Sequence, residues 1–277
     1  MEKVGLINTF LHIRGIGEKR ERALWRRGIR RWHDVIKPGA DLRWLGKREA
    51  VVKQAAEVSL EALEEGDAAF FAQRLPPWER LRVLSEFEDR TAYLDIETDP
   101  YRITVIGILY QGLYRAFMAG GDLADFYDLM REIKVVVTYN GSTFDIPILN
   151  RALFDFSYRQ RPASPDLFAP PRGVHLPGTG HIDLMSVCHR LGLRGGLKAT
   201  EERLGIVRPA SVRGMDGFDA VRLWHNWKAG DDTSLELLLE YNRQDVVNLQ
   251  RIVRLLLEGK LPAKVNPSMD PCNSAGS

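Results

Sequence analysis

The chain is poor in cysteine and in long apolar runs. Its 277 residues contain two cysteines, Cys188 and Cys272, without a C-x-x-C spacing. This pattern excludes a disulfide-stapled scaffold and a cysteine-based zinc finger. No apolar run reaches the roughly 18 residues that a membrane-spanning helix needs, and no signal-peptide pattern opens the chain. The sequence therefore predicts a soluble, cytoplasmic protein without a membrane partner.

The net charge is also close to zero, but the charged residues are unevenly distributed along the chain. The whole chain carries a formal charge of +2. Residues 1–50 hold 13 Lys and Arg against 6 Asp and Glu, whereas the remaining residues hold 26 against 31. A concentrated positive segment favours contact with nucleic-acid phosphates. The alternative is a solvated basic face on a packing helix.

Acidic residues stand where they are poor choices for folding, first in the run TAYLDIET. The run is apolar and β-branched and ends in turn-prone Asp99 and Pro100, so it predicts a strand. Asp95 and Glu97 are two residues apart and share one face of that strand. Two further runs, RITVIGILY and GLYRAFMA, predict a hairpin that continues the sheet and makes the first strand internal. An edge strand with a solvated polar face is the alternative.

A second acid, Asp145, follows the strand KVVVTYN and the turn at Asn140 and Gly141. Helical spacing begins at Phe144, so Asp145 is expected near a helix N-terminus. Ordinary helix capping is the preferred explanation for Asp145 taken alone, since Asp is favoured there.

A third acid lies within a long helix predicted from about Asp232 to Leu257. Tyr241 and Asp245 are one helical turn apart and face the same side. An acid in the middle of a core-facing stripe is difficult to explain as packing. Four carboxylates in apolar elements require compensating charge, and hard oxygen ligands suit Mg²⁺ or Mn²⁺. The sequence therefore predicts metal-dependent phosphoryl chemistry.

Some other positions are expected to have structural roles. The run HIDL predicts a fifth strand from which His181 and Asp183 support the site. Cys188 could be a nucleophile beside His189, but adjacent residues on a helix do not face each other, so core packing is predicted. The tryptophans, including Trp224, are also predicted to lie in the core.

The three acidic segments, DIET, NGSTFD and Y-x-x-x-D, resemble the exonuclease motifs of the DnaQ-like, RNase H-fold 3′–5′ exonucleases. The tyrosine four residues before the last aspartate is similar to the DEDD subgroup with tyrosine. The order of HIDL, LKATEERLGI, LWHNWKAGD and LLEYNRQDVVNL resembles the YprB-like branch, over residues 85–258. The resemblance implies an α/β fold, with a mixed five-stranded RNase H-like sheet flanked by helices and a small all-α N-terminal domain.

The resemblance also implies roles for particular residues. Asp95, Glu97, Asp145 and Asp245 would hold two divalent metal ions, Mg²⁺ or Mn²⁺, about 4 Å apart. Tyr241 would orient the attacking water. The nucleic-acid contacts expected near this site come from three further residues: Asn140, Thr98 and Phe144.

The N-terminal segment FLHIRGIGEKRERALWRRGIRRWHDVI contains two helix-like stretches joined around Arg14-Gly15-Ile16-Gly17. It resembles a helix-hairpin-helix, a module that binds the nucleic-acid backbone. Gly15 and Gly17 would expose backbone N–H groups to phosphate at a helix N-terminus. Lys19 and Arg20 are the first of the basic residues expected to contact phosphates.

Length and composition predict more than one domain. We expect a nucleic-acid-binding module over residues 1–66, a packed connector over 67–84, the exonuclease domain over 85–260 and a disordered tail over 261–277. Residues 157–180 contain five prolines and are expected to form a surface insertion that could gate the site or contact substrate.

The predicted function is hydrolysis of phosphodiester bonds from the 3′ end of nucleic acid, with DNA favoured over RNA and with single-stranded or frayed ends as substrate. A role in DNA repair or processing is expected by analogy. Three alternatives remain open at this point: an exoribonuclease, a non-catalytic nucleic-acid-binding protein with a nuclease fold, and an RNase H-fold junction resolvase.

Overall fold

The computed structural model describes residues 4–100, 102–119, 123–159 and 179–260, without the side chains of 123–124 and 153–159. The predicted tail, residues 261–277, lies outside the described residues. So does most of the predicted insertion at 157–180.

Five strands form one mixed sheet in the order β3-β2-β1-β4-β5. Their bounds are β1 Thr91–Asp99, β2 Arg102–Tyr110, β3 Leu113–Met118, β4 Val135–Thr138 and β5 Gly180–Asp183. The strand that carries Asp95 and Glu97 has a neighbour on each side, so the prediction that it is internal is confirmed. The helices that follow the strands in the chain complete the predicted α/β fold.

The first two strand pairings are antiparallel, and β2 and β3 form the predicted hairpin. Tyr110 pairs with Leu113, which leaves Gln111 and Gly112 as a two-residue turn. Both turn residues have positive φ, 51° and 77°. This is the type I′ geometry whose twist matches that of the flanking strands, and glycine adopts it without strain.

The described residues contain eleven α-helices. Their bounds are α1 Glu18–Arg26, α2 Trp32–Ile36, α3 Glu49–Glu64, α4 Ala68–Arg74, α5 Leu84–Phe87, α6 Leu123–Glu132, α7 Asp145–Arg159, α8 Leu184–Arg190, α9 Leu197–Arg203, α10 Gly217–Lys228 and α11 Asp232–Leu257. The chain divides into two units. The first comprises 4–91, 131–136 and 179–182, and the second comprises the described parts of 92–130, 137–174 and 183–277.

The first unit has an aromatic core and a buried ion pair. Trp32 stacks on Phe71 with their ring centroids 5.3 Å apart, and His12 meets both rings edge-on. Glu21 is 2% exposed and accepts a hydrogen bond from Arg82 Nη1 at 3.0 Å. Because Glu21 lies on α1, this pair attaches the basic helix to the rest of its unit.

One part of the N-terminal prediction is wrong. Residues 9–17, including Phe10 to Arg14, form turns and not a first helix, and a short 3₁₀ helix, Leu6–Asn8, precedes them. The helical stretches of this segment are α1 and α2, which lie on either side of Gly28. The buried side chains of Phe10, Leu11 and Ile13 explain the difference: their apolar pattern reflects packing in the unit and not helical periodicity.

The second unit is built around α11. This helix begins at the predicted residue because Asp231 accepts a hydrogen bond from Thr233 N at 3.2 Å and caps it. Its apolar side packs against α10 and β2 in a cluster that includes Val105, Trp224 and Leu238. Among the described residues, no helix combines the length and apolar character needed to cross a bilayer.

Candidate metal centre

β1 and α11 bring three carboxylates together. Asp95 and Glu97 lie two residues apart on β1, and Asp245 lies in the middle of α11. One carboxylate oxygen from each of the three residues lies within 4.8 Å of the other two. Residues separated by about 150 positions in the chain therefore form a single acidic cluster, as the sequence predicted for these three.

Asp145 lies outside this group of three. It is the first residue of α7, is 3% exposed, and its Oδ1 accepts a hydrogen bond from the backbone N–H of Ile96 at 3.1 Å. That bond connects the start of α7 to the residue between Asp95 and Glu97. Simple capping of its own helix is therefore not a sufficient description of Asp145, which also contacts β1.

Asp183 holds the turn that leads into α7. Its carboxylate accepts hydrogen bonds from Asn140 N at 2.8 Å and from Ser142 N at 3.0 Å. It also caps α8 through Met185 N at 3.1 Å. The predicted fifth strand is thus present, and Asp183 at its end fixes the turn that precedes Asp145.

Burial and mutual repulsion oppose ionisation of the acids. Burial and then Asp245 raise the pKa of Glu97 to about 8. Burial raises the pKa of Asp145 to about 7, although the hydrogen bond from the backbone N–H of Ile96 lowers it. Burial raises the pKa of Asp95 well above its ordinary value, and Asp245 and Glu97 contribute further. Burial also raises the pKa of Asp245. A divalent cation would favour the ionised forms and displace these protons.

Tyr241 lies one turn before Asp245 and is 6% exposed. Burial raises the pKa of its hydroxyl, and Asp245, Glu97 and Asp95 raise it further. The phenol is therefore neutral and retains its proton. In the part of the chain that the structure describes, its hydroxyl makes no hydrogen bond.

The cluster includes a buried cation that sequence reasoning missed. Arg208 donates two hydrogen bonds of 2.7 Å to Glu201, through Nε and Nη2, and also pairs with Asp245. Asn248, one turn after Asp245, donates to Glu201 at 2.9 Å. Arg208 stands in an irregular segment after α9, without a periodic pattern, so nothing in the sequence distinguished it from a surface arginine.

Asn242 was also missed, although it directly follows Tyr241. Its Nδ2 donates to Asp95 Oδ2 at 3.0 Å, and its Oδ1 accepts from Tyr114 Oη at 2.9 Å. It fits against Gly107, which pairs with Asp95 across the β1–β2 ladder. A Cβ at Gly107 would lie 1.7 Å from Asn242 Oδ1. A glycine inside an apolar strand indicates that another group approaches the backbone closely. Gly107 was therefore the one feature of the sequence that could have pointed to Asn242.

The donor set fits a divalent metal ion. Carboxylate oxygens are the ligands that Mg²⁺ and Mn²⁺ prefer. Glu97 Oε1 is buried and has no hydrogen-bond partner in the described part of the chain, and an unpaired buried carboxylate oxygen is costly unless something neutralises it. Asp95, Glu97 and Asp245 could therefore hold a metal ion in this pocket.

The other residues expected near this site have different environments. Asn140 has a φ of 63°, and its side chain accepts a hydrogen bond from Thr143 at 2.8 Å, so it shapes the turn. Thr98 is half-buried and donates to Pro100 O at 3.3 Å. Phe144 is 41% exposed, directly before Asp145.

The predicted phosphate contacts of the first unit lie on its surface. Gly17 is the N-cap of α1 and has no side chain to cap the helix. Gly15, Gly17, Lys19 and Arg20 are all exposed. Arg20 Nη1 donates to Gly15 O at 3.1 Å, which places a guanidinium beside the turn.

Two residues with competing interpretations are core residues. Cys188 is fully buried on α8, and burial raises the pKa of its thiol to about 12, which disfavours the reactive thiolate form. Trp224 is 7% exposed and meets Trp227 with the ring centroids 4.9 Å apart. The prediction that both serve packing is confirmed, but the prediction that the tryptophans lie in the core is wrong for Trp78, which is 38% exposed.

A family model described as RNase_H superfamily matches residues 92–257. The match spans more than half of the chain, from β1 to the last residue of α11, and includes all four predicted carboxylates. The protein therefore belongs to the RNase H superfamily. Fold, acidic cluster and family together define an RNase H-like nuclease domain, whose substrate class is nucleic acid. No curated protein sequence matches the chain.

Proposed function

We propose that this protein is a metal-dependent 3′–5′ exonuclease that hydrolyses phosphodiester bonds from the 3′ end of DNA at single-stranded or frayed ends. The observation that carries the proposal is the convergence of Asp95, Glu97 and Asp245 within 4.8 Å. The order of the segments around them, which resembles the DEDD exonucleases with tyrosine and their YprB-like branch, supports 3′–5′ polarity.

The proposed ligands are these three carboxylates together with Asp145. Because Asp145 Oδ1 accepts a hydrogen bond from Ile96 N, its other oxygen is the proposed ligand atom. Two divalent ions, Mg²⁺ or Mn²⁺, when bound, lower the pKa of water and stabilise negative charge on the leaving 3′-oxygen.

Tyr241 is proposed to orient the attacking water. Its pKa is raised by burial and by the neighbouring carboxylates, so the hydroxyl keeps a proton to donate. It lies one turn from Asp245 on the same rigid helix, which fixes the hydroxyl relative to the acidic cluster. Accurate placement of the nucleophile is what such a group contributes to hydrolysis.

Recognition of the substrate is proposed to use residues on each unit. Near the acidic cluster, the exposed Phe144 ring can stack on the terminal base, while Asn140 and Thr98 contact the terminal nucleotide. Residues 1–66 are proposed to act as the backbone-binding module, through the N–H groups after Gly17 and the exposed cations Lys19 and Arg20. Residues 67–84 serve as the connector, and 85–260 form the exonuclease domain.

The proposal is tested with 5′- and 3′-labelled DNA and RNA in Mg²⁺, Mn²⁺ or EDTA. We expect stepwise loss of nucleotides from the 3′ end of DNA in either metal and none in EDTA. Asp145→Asn and Asp245→Asn should reduce turnover by roughly 100-fold or more while the proteins remain folded, because each change removes one ligand charge without changing side-chain size.

Asp232→Asn is the matched control, since Asp232 is exposed on the same helix as Asp245. It should retain wild-type activity. Full activity of either site variant under saturating Mg²⁺ would refute the two-metal proposal. Internal cuts would identify an endonuclease, preferential RNA cleavage an exoribonuclease, and bound but uncut substrate a binding protein.

A further inference from the structure

Arg208 is a buried positive charge attached to the acidic cluster. Its residue is 6% exposed, and its guanidinium pairs with Glu201 through two nitrogens and with Asp245 through Nη2. The guanidinium carbon also lies 5.8 Å from the centroid of the Tyr241 ring. Arg208 therefore contacts a proposed metal ligand and lies beside the residue proposed to orient the water.

The position of Arg208 does not depend on Asp245 alone. Glu201 holds two of its nitrogens, and Asn248 in turn holds Glu201 Oε1 at 2.9 Å. Arg251 Nη1 donates to Asn248 Oδ1 at 3.0 Å. This chain of contacts fixes the guanidinium from α9 and α11, so the charge stays beside the cluster whether or not Asp245 pairs with it.

Stability alone is a weak reason for this arrangement. Buried ion pairs seldom stabilise a protein more than apolar residues of the same size would. In addition, Arg208 Nη1 is buried and has no hydrogen-bond partner among the described residues, which costs stability. A role in the electrostatics of the cluster is therefore a better reason for the arrangement than stability.

We propose that Arg208 is an internal counter-cation of the acidic cluster: it neutralises part of the repulsion around Asp245 when no metal is bound, and it weakens metal binding by adding positive charge next to the site. Arg208 is thus a positioning residue and not a catalytic one. The inference rests on the proposed metal site of Asp95, Glu97 and Asp245. Two like charges a few ångströms apart repel strongly in a buried pocket.

The test is Mn²⁺ titration by calorimetry, together with thermal unfolding in EDTA and in excess Mn²⁺. Arg208→Gln should bind Mn²⁺ roughly tenfold or more tightly than wild type, because it removes the repelling charge. In EDTA the same variant should unfold at a lower temperature, because Asp245 and Glu201 lose their partner. Its gain in melting temperature on adding Mn²⁺ should exceed that of wild type.

Arg208→Lys keeps the charge and should stay within about threefold of wild-type affinity. Arg222→Gln is the matched control, since Arg222 forms an exposed pair with Asp219 in the same unit. It should change neither the Mn²⁺ affinity nor the melting temperature. If Arg208→Gln does not fold, Glu201→Gln/Arg208→Gln removes the unpaired acid as well, and a smaller tightening is expected of it, because a negative charge farther from Asp245 is lost together with the positive one.

The possible results separate this inference from the proposed function. A wild-type protein that bound no Mn²⁺ would refute the metal site and this inference with it. Wild-type binding with unchanged or weaker Mn²⁺ affinity in Arg208→Gln would leave the metal site intact and overturn the counter-cation role. That role is also overturned if Arg208→Lys behaves like Arg208→Gln, because charge would then not be the cause.

Discussion

The most informative single change for the architecture of the site is Gly107→Ala. Gly107 pairs with Asp95 across the β1–β2 ladder, and Asn242 packs directly on its Cα. An added Cβ would lie 1.7 Å from Asn242 Oδ1, 2.7 Å from its Cγ and 3.1 Å from Val246 Cγ2. The methyl group therefore cannot be accommodated unless the Asn242 side chain moves.

Moving Asn242 has a cost that the structure allows us to estimate. The side chain is fully buried and is held by Tyr114 Oη at 2.9 Å and by Asp95 Oδ2 at 3.0 Å. Displacing it breaks both hydrogen bonds, one of them to a carboxylate, for a total of about 2 to 4 kcal/mol. Urea unfolding followed by tryptophan fluorescence should show this loss in the free energy of unfolding.

Two further variants make the estimate testable. Gly217→Ala is the control, because a Cβ there meets no atom within 4 Å, and it should be neutral. Asn242→Ala removes the clashing atoms, so the double variant with Gly107→Ala should lose less stability than the sum of the two single variants. If Gly107→Ala and Gly217→Ala had equal free energies of unfolding, the predicted clash with Asn242 would be refuted. The same conclusion would follow if the losses of Gly107→Ala and Asn242→Ala added exactly in the double variant.

The remaining predictions concern the first unit. Burial lowers the pKa of His12 to about 3, below its unfolded value near 6.5, so the unfolded chain binds the proton more readily. The contribution of His12 to the free energy of unfolding should be complete above about pH 6.5 and fall by about 2 kcal/mol by pH 5. Urea titrations of wild type and His12→Gln at both pH values check this, because the buried acids with raised pKa values affect both proteins alike; an equal change with pH in the two proteins would exclude a contribution from His12. Replacing Lys19 and Arg20 with Ala should weaken DNA binding at low salt and lower the slope of log affinity against log salt by up to about 2. An unchanged slope would show that the exposed N-terminus of α1 does not bind phosphate.

Most of the fold could be predicted from the sequence because its signals are local. The alternation of TAYLDIET indicates a strand, and the Gln111-Gly112 pair between two β-branched runs indicates a tight hairpin. The predicted start of α11 matches the observed one because Asp231 caps the helix there. The N-terminal error has the same origin: Phe10, Leu11 and Ile13 are apolar for packing in turns, and periodicity does not distinguish this from a helix.

The candidate site could be predicted only where an acid conflicts with its surroundings. Asp95 and Glu97 are noticeable because they alternate with apolar residues on a strand, and Asp245 because it lies in line with Leu238 and Leu249 on the apolar side of a helix. Arg208 and Asn242 are polar residues in polar or mixed segments, so their burial follows from tertiary contacts that no local pattern encodes. The contact of Asp145 with β1 could not be predicted for the same reason, because its hydrogen bond to Ile96 joins residues 49 positions apart.

Because α11 is a single uninterrupted helix, it carries the phenol of Tyr241, the amide of Asn242, the carboxylate of Asp245 and the amide of Asn248 as one body. Any rotation or sliding of that helix displaces all four groups at once and by related amounts. Unfolding of α11 by heat or denaturant would therefore remove all four polar groups from the pocket together and not one after another. Movement of the turns around Asn140 and Arg208, whose backbone is not part of the helix, would leave these four groups in their positions relative to one another.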